Sequence, residues 1–452
     1  MEQDKHDHVG IGMAGFGSRR LWLDRIVVMG HALVAGLLVV GFTAASDLAF
    51  AWFRKVYLAQ PWAALILTPA VTASVVWCTT RWAPGAGGSG IPQIKAALAT
   101  QASESSGVSF ASLGTAVAKI VLGVGAFASG LSIGREGPSV QIAAGVMQHA
   151  RRWSSASSEI DSRALLVAGG AAGVAAAFNA PLAGVVFSIE QLCAKLEVRS
   201  SGVVIAAIVL AGLVAVAVFG SRSFFGNIQV PQLSWTAIGP GVLVATVAGI
   251  GGGVFSRLLI ASLAGGGGPV NRLRRLHPVA FAGLCGFAVA LIGIATSGVI
   301  FGPGSRQVEL MLQGEWQAPA LYAMLKLVAT WLSAWTGAPG GIFSPSLSIG
   351  AAVGAAVAPL ASSELGPALI ALGMASFLAA VTQAPLTAFI IVMEMVEGHS
   401  MVLSLMAAAM LASLIARAIS RPLYETLAAN LIHRLPNSQN GDSAARVAQR
   451  LH

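Results

Sequence analysis

One glutamate stands inside a glycine-rich turn that is surrounded by apolar sequence. The segment GREGP occupies residues 134–138, and Glu136 is its only acidic residue. Glycines ahead of a proline in a first helical turn expose a run of backbone amides that attracts negative charge. A carboxylate in such a nest can occupy an anion site itself and can leave it on protonation. Because ionisable groups are costly in apolar sequence, we interpret Glu136 as a gate and proton carrier; the alternative is a structural ion pair with Arg135.

A second glycine-rich segment, GSGIP at residues 88–92, also precedes a predicted helix. The first N–H groups of a helix have no partner within it, so the hydroxyl of Ser89 and the amides that follow can face an anion. Taken alone, the segment favours a flexible turn with a capping serine over an anion site, because Gly-Ser-Gly is common loop chemistry.

The third segment, GGIFSP at residues 340–345, carries the sequence of a helix start. Ser344 and Pro345 predict an N-cap residue followed by a first helical turn. The backbone amides of Ile342 and Phe343 then point at whatever lies in front of that helix. Three such segments together are far more specific for anion chemistry than any one of them.

The elements that must position these segments recur in two halves of the chain. Residues 171–190 align without a gap with residues 375–394, and seven of the 20 positions are identical, including an Ala-Pro-Leu block and the final glutamate. The matching places of Glu190 and Glu394 favour a structural role, in which each carboxylate bonds loop or helix-end amides. Two similar halves with broken helices predict a substrate site near the membrane midplane, where the halves meet.

The composition indicates a chain that crosses a membrane many times. Of the 452 residues, 56% are hydrophobic and only 10% are charged, against about 25% charged residues in soluble domains. Uncharged stretches such as residues 223–256 and 327–363 are long enough to contain spans of about 20 residues. Shorter apolar runs are interrupted by glycine, proline, asparagine or serine, and such breaks are tolerated at membrane depth only inside protein or beside a cavity. We therefore predict an all-α polytopic membrane protein.

Other functional classes fit the sequence poorly. The net charge of +9 comes from basic residues at the ends of apolar runs, which is typical of cytoplasmic loops and lipid headgroups rather than of nucleic-acid binding. The charge-poor runs contain neither a His-Glu-x-x-His motif nor paired aspartates, which argues against an intramembrane enzyme. We expect no enzymatic activity, no metal and no cofactor. A carrier of an organic solute is the remaining alternative on these features.

Several ordered motifs together resemble the CLC family of chloride channels and chloride/proton antiporters. They are the three glycine-rich segments, the run AAAFNAPLAG at residues 175–184, and Pro-Leu-Tyr at residues 422–424. The resemblance implies a fold of two inverted repeats with many tilted and broken helices. It also implies an integral multi-pass protein of the cell inner or plasma membrane, and a homodimer with one pore per subunit.

On this basis we divide the chain into four parts. They are a cytoplasmic N-terminal segment at residues 1–25, a first membrane half at residues 26–225, a second membrane half at residues 226–432, and a short polar tail at residues 433–452.

The resemblance also implies how an anion is bound. The family pattern assigns four ligands to a central chloride, which are the hydroxyls of Ser89 and Tyr424 and the backbone amides of Ile342 and Phe343. Glu136 becomes the outer gating glutamate and competes with chloride near the amides of Arg135 and Gly137. Partial charges from amides and hydroxyls hold an anion weakly enough for it to leave again.

Two places depart from the family pattern. Proton-coupled members usually have a second carboxylate on the inner side, just after the position of Glu190, and this chain has Gln191 there. Glutamine does not exchange a proton near neutral pH, so Gln191 is a non-titrating residue at the inner proton-relay position. Gln93 and Lys95 follow GSGIP where acidic residues are frequent, which predicts a more positive inner vestibule.

The predicted function is chloride-selective transport. Glu136, Ser89 and Tyr424 favour chloride/proton antiport, whereas Gln191 favours the alternative, a passive glutamate-gated chloride channel of the voltage-gated type. The predicted partners are chloride, protons in the case of antiport, and membrane lipids.

Overall fold

The protein is built of α-helices throughout the residues that the computed structural model describes, which are 19–100, 109–154, 160–192, 198–220, 224–225, 237–265 and 268–434. The helices of the first half are α1 (Arg19–Ala59), α2 (Ala64–Trp82), α3 (Ile91–Thr100), α4 (Leu113–Ala128), α5 (Glu136–His149), α6 (Ser162–Phe178), α7 (Pro181–Phe187) and α8 (Val198–Phe219). Those of the second half are α9 (Ile238–Leu263), α10 (Pro269–Leu276), α11 (Pro278–Ala295), α12 (Ser305–Leu312), α13 (Tyr322–Trp335), α14 (Phe343–Val357), α15 (Gly366–Thr382), α16 (Pro385–Met395), α17 (Val402–Ile419) and α18 (Leu423–His433).

Seven segments of the described chain are long and apolar enough to cross a membrane. They lie in α1, α2, α8, α9, α11, α14 and α17, while α4, α6, α7, α15 and α16 are shorter and apolar. The prediction of an integral multi-pass membrane protein is confirmed. The first helix, α1, is longer than a single span of about 20 residues. It continues to Ala59 because no glycine or proline occurs between Gly41 and Pro61 to end it earlier.

The two halves have the same local structure wherever the sequence repeats. α6 ends at Phe178 and α15 ends at Thr382, and each is followed by a left-handed residue, Asn179 with φ of 55° or Gln383 with φ of 54°. The Ala-Pro-Leu block then begins α7 in one half and α16 in the other. The fold is that of two inverted repeats with tilted and broken helices, as predicted.

Two glutamates tie the halves to each other. Glu190 lies in a π turn directly after α7, and Glu394 lies near the end of α16. Each carboxylate accepts two hydrogen bonds from the first turn of the short helix in the opposite half. The donors are the backbone N–H groups of Leu386 (3.0 Å) and Thr387 (2.6 Å) for Glu190, and of Leu182 (3.3 Å) and Ala183 (2.7 Å) for Glu394. The predicted structural role of this pair is confirmed.

Four helices form the buried centre of the molecule. α5 packs against α6, and α14 against α15, more extensively than any other pair of helices in the described chain. Glycines permit this approach, since a Cβ atom on Gly173 would lie 2.8 Å from the Cα of Val140, and one on Gly350 would lie 2.9 Å from the Cα of Met374. Small residues at helix crossings are the usual solution in membranes, where van der Waals packing drives association. α5 and α14 thus hold GREGP and GGIFSP at fixed places.

Candidate anion site

The three glycine-rich segments meet and are joined by backbone hydrogen bonds. Gly134 and Gly341 each donate to the carbonyl of the other, at 2.8 and 2.7 Å. Gly88 donates to the carbonyl of Gly337 at 3.1 Å and accepts from the N–H of Gly340 at 3.2 Å. The N-termini of α3, α5 and α14 are therefore held around one place, although they lie far apart in the sequence.

GSGIP and GREGP are in direct contact, and glycine is required at the contact. Gly90 has a φ of +111°, which L side chains rarely adopt, and a Cβ atom there would overlap the carbonyl of Gly137. A Cβ atom on Gly137 would lie 2.7 Å from the carbonyl oxygen of Ser89. The first turn of α5 therefore lies directly against the loop that carries Ser89.

The start of α3 is braced by glutamine rather than by serine. The Oε1 atom of Gln93 accepts a hydrogen bond from the N–H of Gly90 at 2.9 Å, and its Nε2 atom donates to the carbonyl of Gly87 at 2.5 Å. The hydroxyl of Ser89 has no hydrogen-bond partner among the residues that the structure describes. The alternative of a capping serine is wrong here, because Gln93 already satisfies the loop.

The carboxylate of Glu136 is bound at the N-terminus of α14. The hydroxyl of Ser344 donates to one carboxylate oxygen, and the N–H of Ser344 lies 3.4 Å from the other. Glu136 is only 1% exposed. The prediction that Ser344 is an N-cap residue is wrong, because the helix begins at Phe343 with Ile342 as its cap and the Ser344 hydroxyl bonds Glu136 instead.

Arg135 does not neutralise Glu136 through an ion pair. Its guanidinium contacts both carboxylate oxygens of Asp47, at 2.8 and 2.9 Å. Asp47 is on α1, so this pair fixes the start of α5 to the long first helix. The alternative of a structural Arg135–Glu136 pair is therefore not what the structure contains.

Ser89, Ile342 and Tyr424 line one cavity of about 440 Å³, which we call the Ser89 cavity. The hydroxyls of Ser89 and Tyr424 are close to each other, but neither makes a hydrogen bond of good geometry with the described residues. The ring of Phe343 lies 6.2 Å from that of Tyr424. All four predicted chloride ligands are thus gathered at one place. Two unsatisfied hydroxyls and a helix N-terminus are the donors that a partly dehydrated anion requires.

The Ser89 cavity has a positive lining. Among the residues that the structure describes, its charged side chains are Arg274, Arg275 and Arg434, and no carboxylate lines it. Burial, together with the nearby charge of Arg434, lowers the pKa of Arg274 to about 10, so this guanidinium stays cationic at neutral pH. A cavity with one sign of charge concentrates counter-ions of the opposite sign. This lining favours anions.

A larger cavity of about 860 Å³, which we call the Arg135 cavity, lies beside the start of α5. Within the described part of the chain, four basic side chains line it, those of Arg54, Lys55, Arg135 and Arg306, and Asp47 is the one carboxylate. Glu136 is next in sequence to Arg135, and its carboxylate contacts the helix that starts beside the Ser89 cavity. The glutamate therefore lies between two positively lined cavities.

Two buried lysines brace the loops in front of the central helices. Lys119 donates to the carbonyls of Ala86 (2.8 Å) and Gly88 (2.6 Å). Lys326, at the equivalent place in the second half, donates to the carbonyls of Ile300 (2.8 Å) and Gly302 (2.7 Å). Neither lysine forms an ion pair within the described residues, and Lys119 fixes the carbonyl of Gly88, which is next to Ser89 in sequence. These lysines were not predicted to act, although a lone lysine in an apolar helix is a signal for function.

Gln191 is bonded to neighbours on two sides. Its Nε2 atom donates to the carbonyl of Thr382 at 3.3 Å, and its backbone and side-chain oxygens accept from the ammonium of Lys95 at 2.6 and 3.3 Å. Lys95 also forms an ion pair with Glu425 at 2.5 Å. The prediction that Lys95 makes the inner vestibule more positive is wrong, because its charge is paired. The positive lining of the Ser89 cavity comes from arginines instead.

Comparisons with known proteins identify the family and the fold. The family model described as voltage gated chloride channel matches residues 70–417. A crystal structure of a slow cyanobacterial Cl⁻/H⁺ antiporter is similar with a TM-score of 0.77 and 23% identity over 91% of this chain and 98% of that one. A CLC-type fluoride/proton antiporter has a TM-score of 0.72 and 20% identity over 88% and 95% of the two chains. A eukaryotic CLC transporter is similar with a TM-score of 0.69 and 23% identity over 90% of this chain and 74% of that one. At these identities the likeness to solved structures shows the fold.

Proposed function

The chain belongs to the voltage-gated chloride channel (CLC) family of anion transport proteins, and from this premise we propose that it exchanges chloride for protons with Glu136 as the moving gate. One observation carries the proposal. The Glu136 carboxylate bonds Ser344 at the N-terminus of α14, between the Arg135 cavity and the Ser89 cavity. A carboxylate in that position closes the path between the cavities and occupies a place that suits an anion.

In the proposed cycle, protonation opens the gate. A neutral carboxylic acid loses most of its attraction to the amide and hydroxyl of Ser344, because both donors bind the charged form more strongly. Glu136 then swings out and chloride takes its place at the helix N-terminus. When the proton is released, the carboxylate returns and displaces chloride. A full cycle therefore moves protons and chloride past the same point in opposite directions.

The central site of the proposed path consists of neutral donors. Chloride binds the hydroxyls of Ser89 and Tyr424 and the amides of Ile342 and Phe343. Such a site pays part of the dehydration cost of the ion without holding it irreversibly. We expect chloride to be the preferred anion, with Ser89 as the residue that contributes to this selectivity.

A passive chloride channel gated by Glu136 is the second candidate, and Gln191 is the observation that favours it. The amide of Gln191 is held by Thr382 and Lys95 and does not titrate near neutral pH. Because residue 191 has no carboxylate, protons that enter beside Gln191 have no titrating group at that position on their way to Glu136. The two candidates differ in whether chloride flow drives protons.

Ion-flux measurements in proteoliposomes distinguish chloride/proton exchange from a passive channel. Vesicles loaded with chloride are diluted into chloride-free, weakly buffered medium, and external chloride and pH are recorded together. Exchange predicts that chloride efflux drives protons into the vesicles against their gradient, and that Glu136→Gln keeps chloride flow but abolishes proton uptake. Glu315→Gln, the same change at an exposed glutamate, serves as the matched control and retains both fluxes. Chloride efflux without proton movement contradicts exchange and establishes the channel.

We also propose a homodimer in which each subunit has its own pore. Every donor that we assign to the anion path comes from a single chain, so a partner subunit is not needed to complete the site. Basic residues at the ends of the apolar helices, such as the exposed Arg151 and Arg152 after α5, are suited to contact anionic lipid headgroups.

A further inference from the structure

Glu425 lies where two cavities approach each other. It follows Tyr424 directly in the first turn of α18. Tyr424 lines the Ser89 cavity, whereas Glu425 lines a separate cavity of about 620 Å³ that we call the Gln191 cavity. Its lining also includes Gln191 and Thr382. Consecutive residues of one helical turn therefore face the two cavities.

The two oxygens of the Glu425 carboxylate have different surroundings. Oε1 pairs with the ammonium of Lys95 at 2.5 Å. Oε2 is buried and has no hydrogen-bond partner in the part of the chain that the structure describes. A buried acceptor without a donor is unfavourable and is uncommon in native proteins. A proton that binds Oε2 removes the cost of a buried, charged oxygen that has no donor.

The surroundings of Lys95 allow Glu425 to become neutral. The Lys95 ammonium donates to the backbone oxygen of Gln191 at 2.6 Å and contacts its side-chain oxygen at 3.3 Å, as well as contacting Glu425. These two acceptors stay in place whatever the charge of Glu425. The lysine is therefore not left without partners when the carboxylate is protonated. In this arrangement Gln191 keeps Lys95 hydrogen-bonded when Glu425 is neutral, although Gln191 does not itself exchange a proton.

We propose that Glu425 is the inner proton carrier of the exchange cycle, in the role that Gln191 cannot fill. The inference rests on the proposed function. A hydronium ion in the Gln191 cavity gives its proton to Oε2 and leaves as water, and Glu425 becomes a neutral acid. The acid passes the proton to water in the Ser89 cavity beside Tyr424 and regenerates the carboxylate. That proton then binds the carboxylate of Glu136, which releases Ser344.

The charges around Glu425 are consistent with a transient carrier. Lys95 on α3, Arg417 on α17 and Arg421 just before α18 are cationic, and Glu190 is the other carboxylate at the Gln191 cavity. These cations supply counter-charge for the Glu425 carboxylate once its proton has left.

The proton-to-chloride ratio in proteoliposomes tests this role. We expect Glu425→Gln to lower the number of protons moved per chloride by at least about tenfold, the low end of what one positioned proton-transfer group contributes. Chloride flow in the same vesicles should stay within about threefold of wild type, since Glu425 does not line the anion path. Glu425→Asp keeps a carboxylate and should restore part of the coupling. Glu315→Gln is again the matched control.

The outcomes separate this inference from the proposed function. If wild type couples protons to chloride and Glu425→Gln leaves the ratio unchanged, Glu425 is not the carrier and exchange stands. If the Gln variant loses both fluxes in parallel and the Asp variant keeps a normal ratio at reduced rate, the ion pair with Lys95 is only structural and the inference is overturned. If wild type itself moves chloride without protons, exchange and this inference fail together.

Discussion

Ser344 is the residue through which α14 contacts the gate. Its N–H belongs to the first turn of the helix and faces the carboxylate of Glu136, and its hydroxyl adds a second donor. Hydrogen bonds to a charged group contribute roughly 1.5–3 kcal/mol to stability. Both donors favour the ionised, bound form of Glu136 over the neutral form. The hydroxyl should therefore keep the gate closed more of the time when the glutamate is deprotonated.

Replacing this hydroxyl should make the gate easier to displace. We expect Ser344→Ala to raise chloride flux at neutral and alkaline pH by at least about tenfold, the change that corresponds to the low end of that range, about 1.5 kcal/mol. At acidic pH, where Glu136 is protonated in both proteins, the fluxes should converge. The measurement is the pH profile of chloride efflux from proteoliposomes.

Two controls define the origin of that effect. Ser346→Ala removes a buried hydroxyl from the same helix that has no hydrogen-bond partner within the described residues, and it should leave the profile unchanged. In a Glu136→Gln background, Ser344→Ala should have little further effect, because the charged partner is already gone. An equal change in Ser344→Ala and Ser346→Ala would show that packing of α14, rather than the bond to Glu136, is responsible.

The interaction of Ser344 with Glu136 is beyond what local sequence patterns predict. Ser-Pro after glycines is typical of a helix cap, and that interpretation is local. The actual partner of the hydroxyl is 208 residues away, and Lys95 and Glu425 are separated by 330 residues. Glu136 was predictable because its own surroundings, glycines and a proline in apolar sequence, contain the signal. Side-chain pairs between distant segments contain no such signal in a single sequence.

At the scale of elements, the crossed glutamates make the two halves depend on each other. Each of α7 and α16 begins with a proline, so its first exposed N–H groups are those that the opposite glutamate binds. A carboxylate at a helix N-terminus also interacts favourably with the helix dipole. The repeat predicted that Glu190 and Glu394 have the same role. It did not predict that the bonds cross between halves, since that depends on how the repeats face each other.

Loss of either charge should destabilise the whole membrane domain. We expect Glu394→Gln and Glu190→Gln each to lower the free energy of unfolding by about 1–2 kcal/mol. The amide oxygen of glutamine accepts hydrogen bonds, but it lacks the negative charge that strengthens them at a helix N-terminus. The measurement is thermal unfolding of the detergent-solubilised protein, and Glu315→Gln should show no change. An altered proton-to-chloride ratio in Glu190→Gln without loss of stability would mean that Glu190 takes part in proton transfer instead.

At the scale of the whole molecule, fold class was the most predictable property and charge distribution the least. Apolar runs with few charges require helices that bury their backbone, so a polytopic α-helical protein follows from composition alone. The composition does not predict which basic residues face the anion path, because every helix end with Arg or Lys has a similar sequence. Lys95 was expected to face the anion path and is paired instead, whereas three arginines from α10 and the end of α18 line the Ser89 cavity.

The positive lining at both ends of the proposed path should raise the local concentration of chloride by a long-range electrostatic effect. Neutralising one such charge should then reduce flux most at low ionic strength, where the Debye length exceeds about 10 Å, and least in concentrated salt. Arg275 and Arg272 offer a matched pair on α10, since both are exposed and only Arg275 lines the Ser89 cavity.

We expect Arg275→Gln to lower chloride flux about twofold to threefold in dilute salt, which corresponds to the loss of less than about 1 kcal/mol of attraction. The deficit should disappear when ionic strength is raised with an impermeant salt, and Arg272→Gln should match wild type throughout. A deficit in Arg275→Gln that is independent of salt would instead indicate a direct contact with the ion, because a bonded pair is screened far less than a distant field. Equal deficits in both variants would assign the effect to the general charge of α10 at the membrane surface and not to the lining of the path.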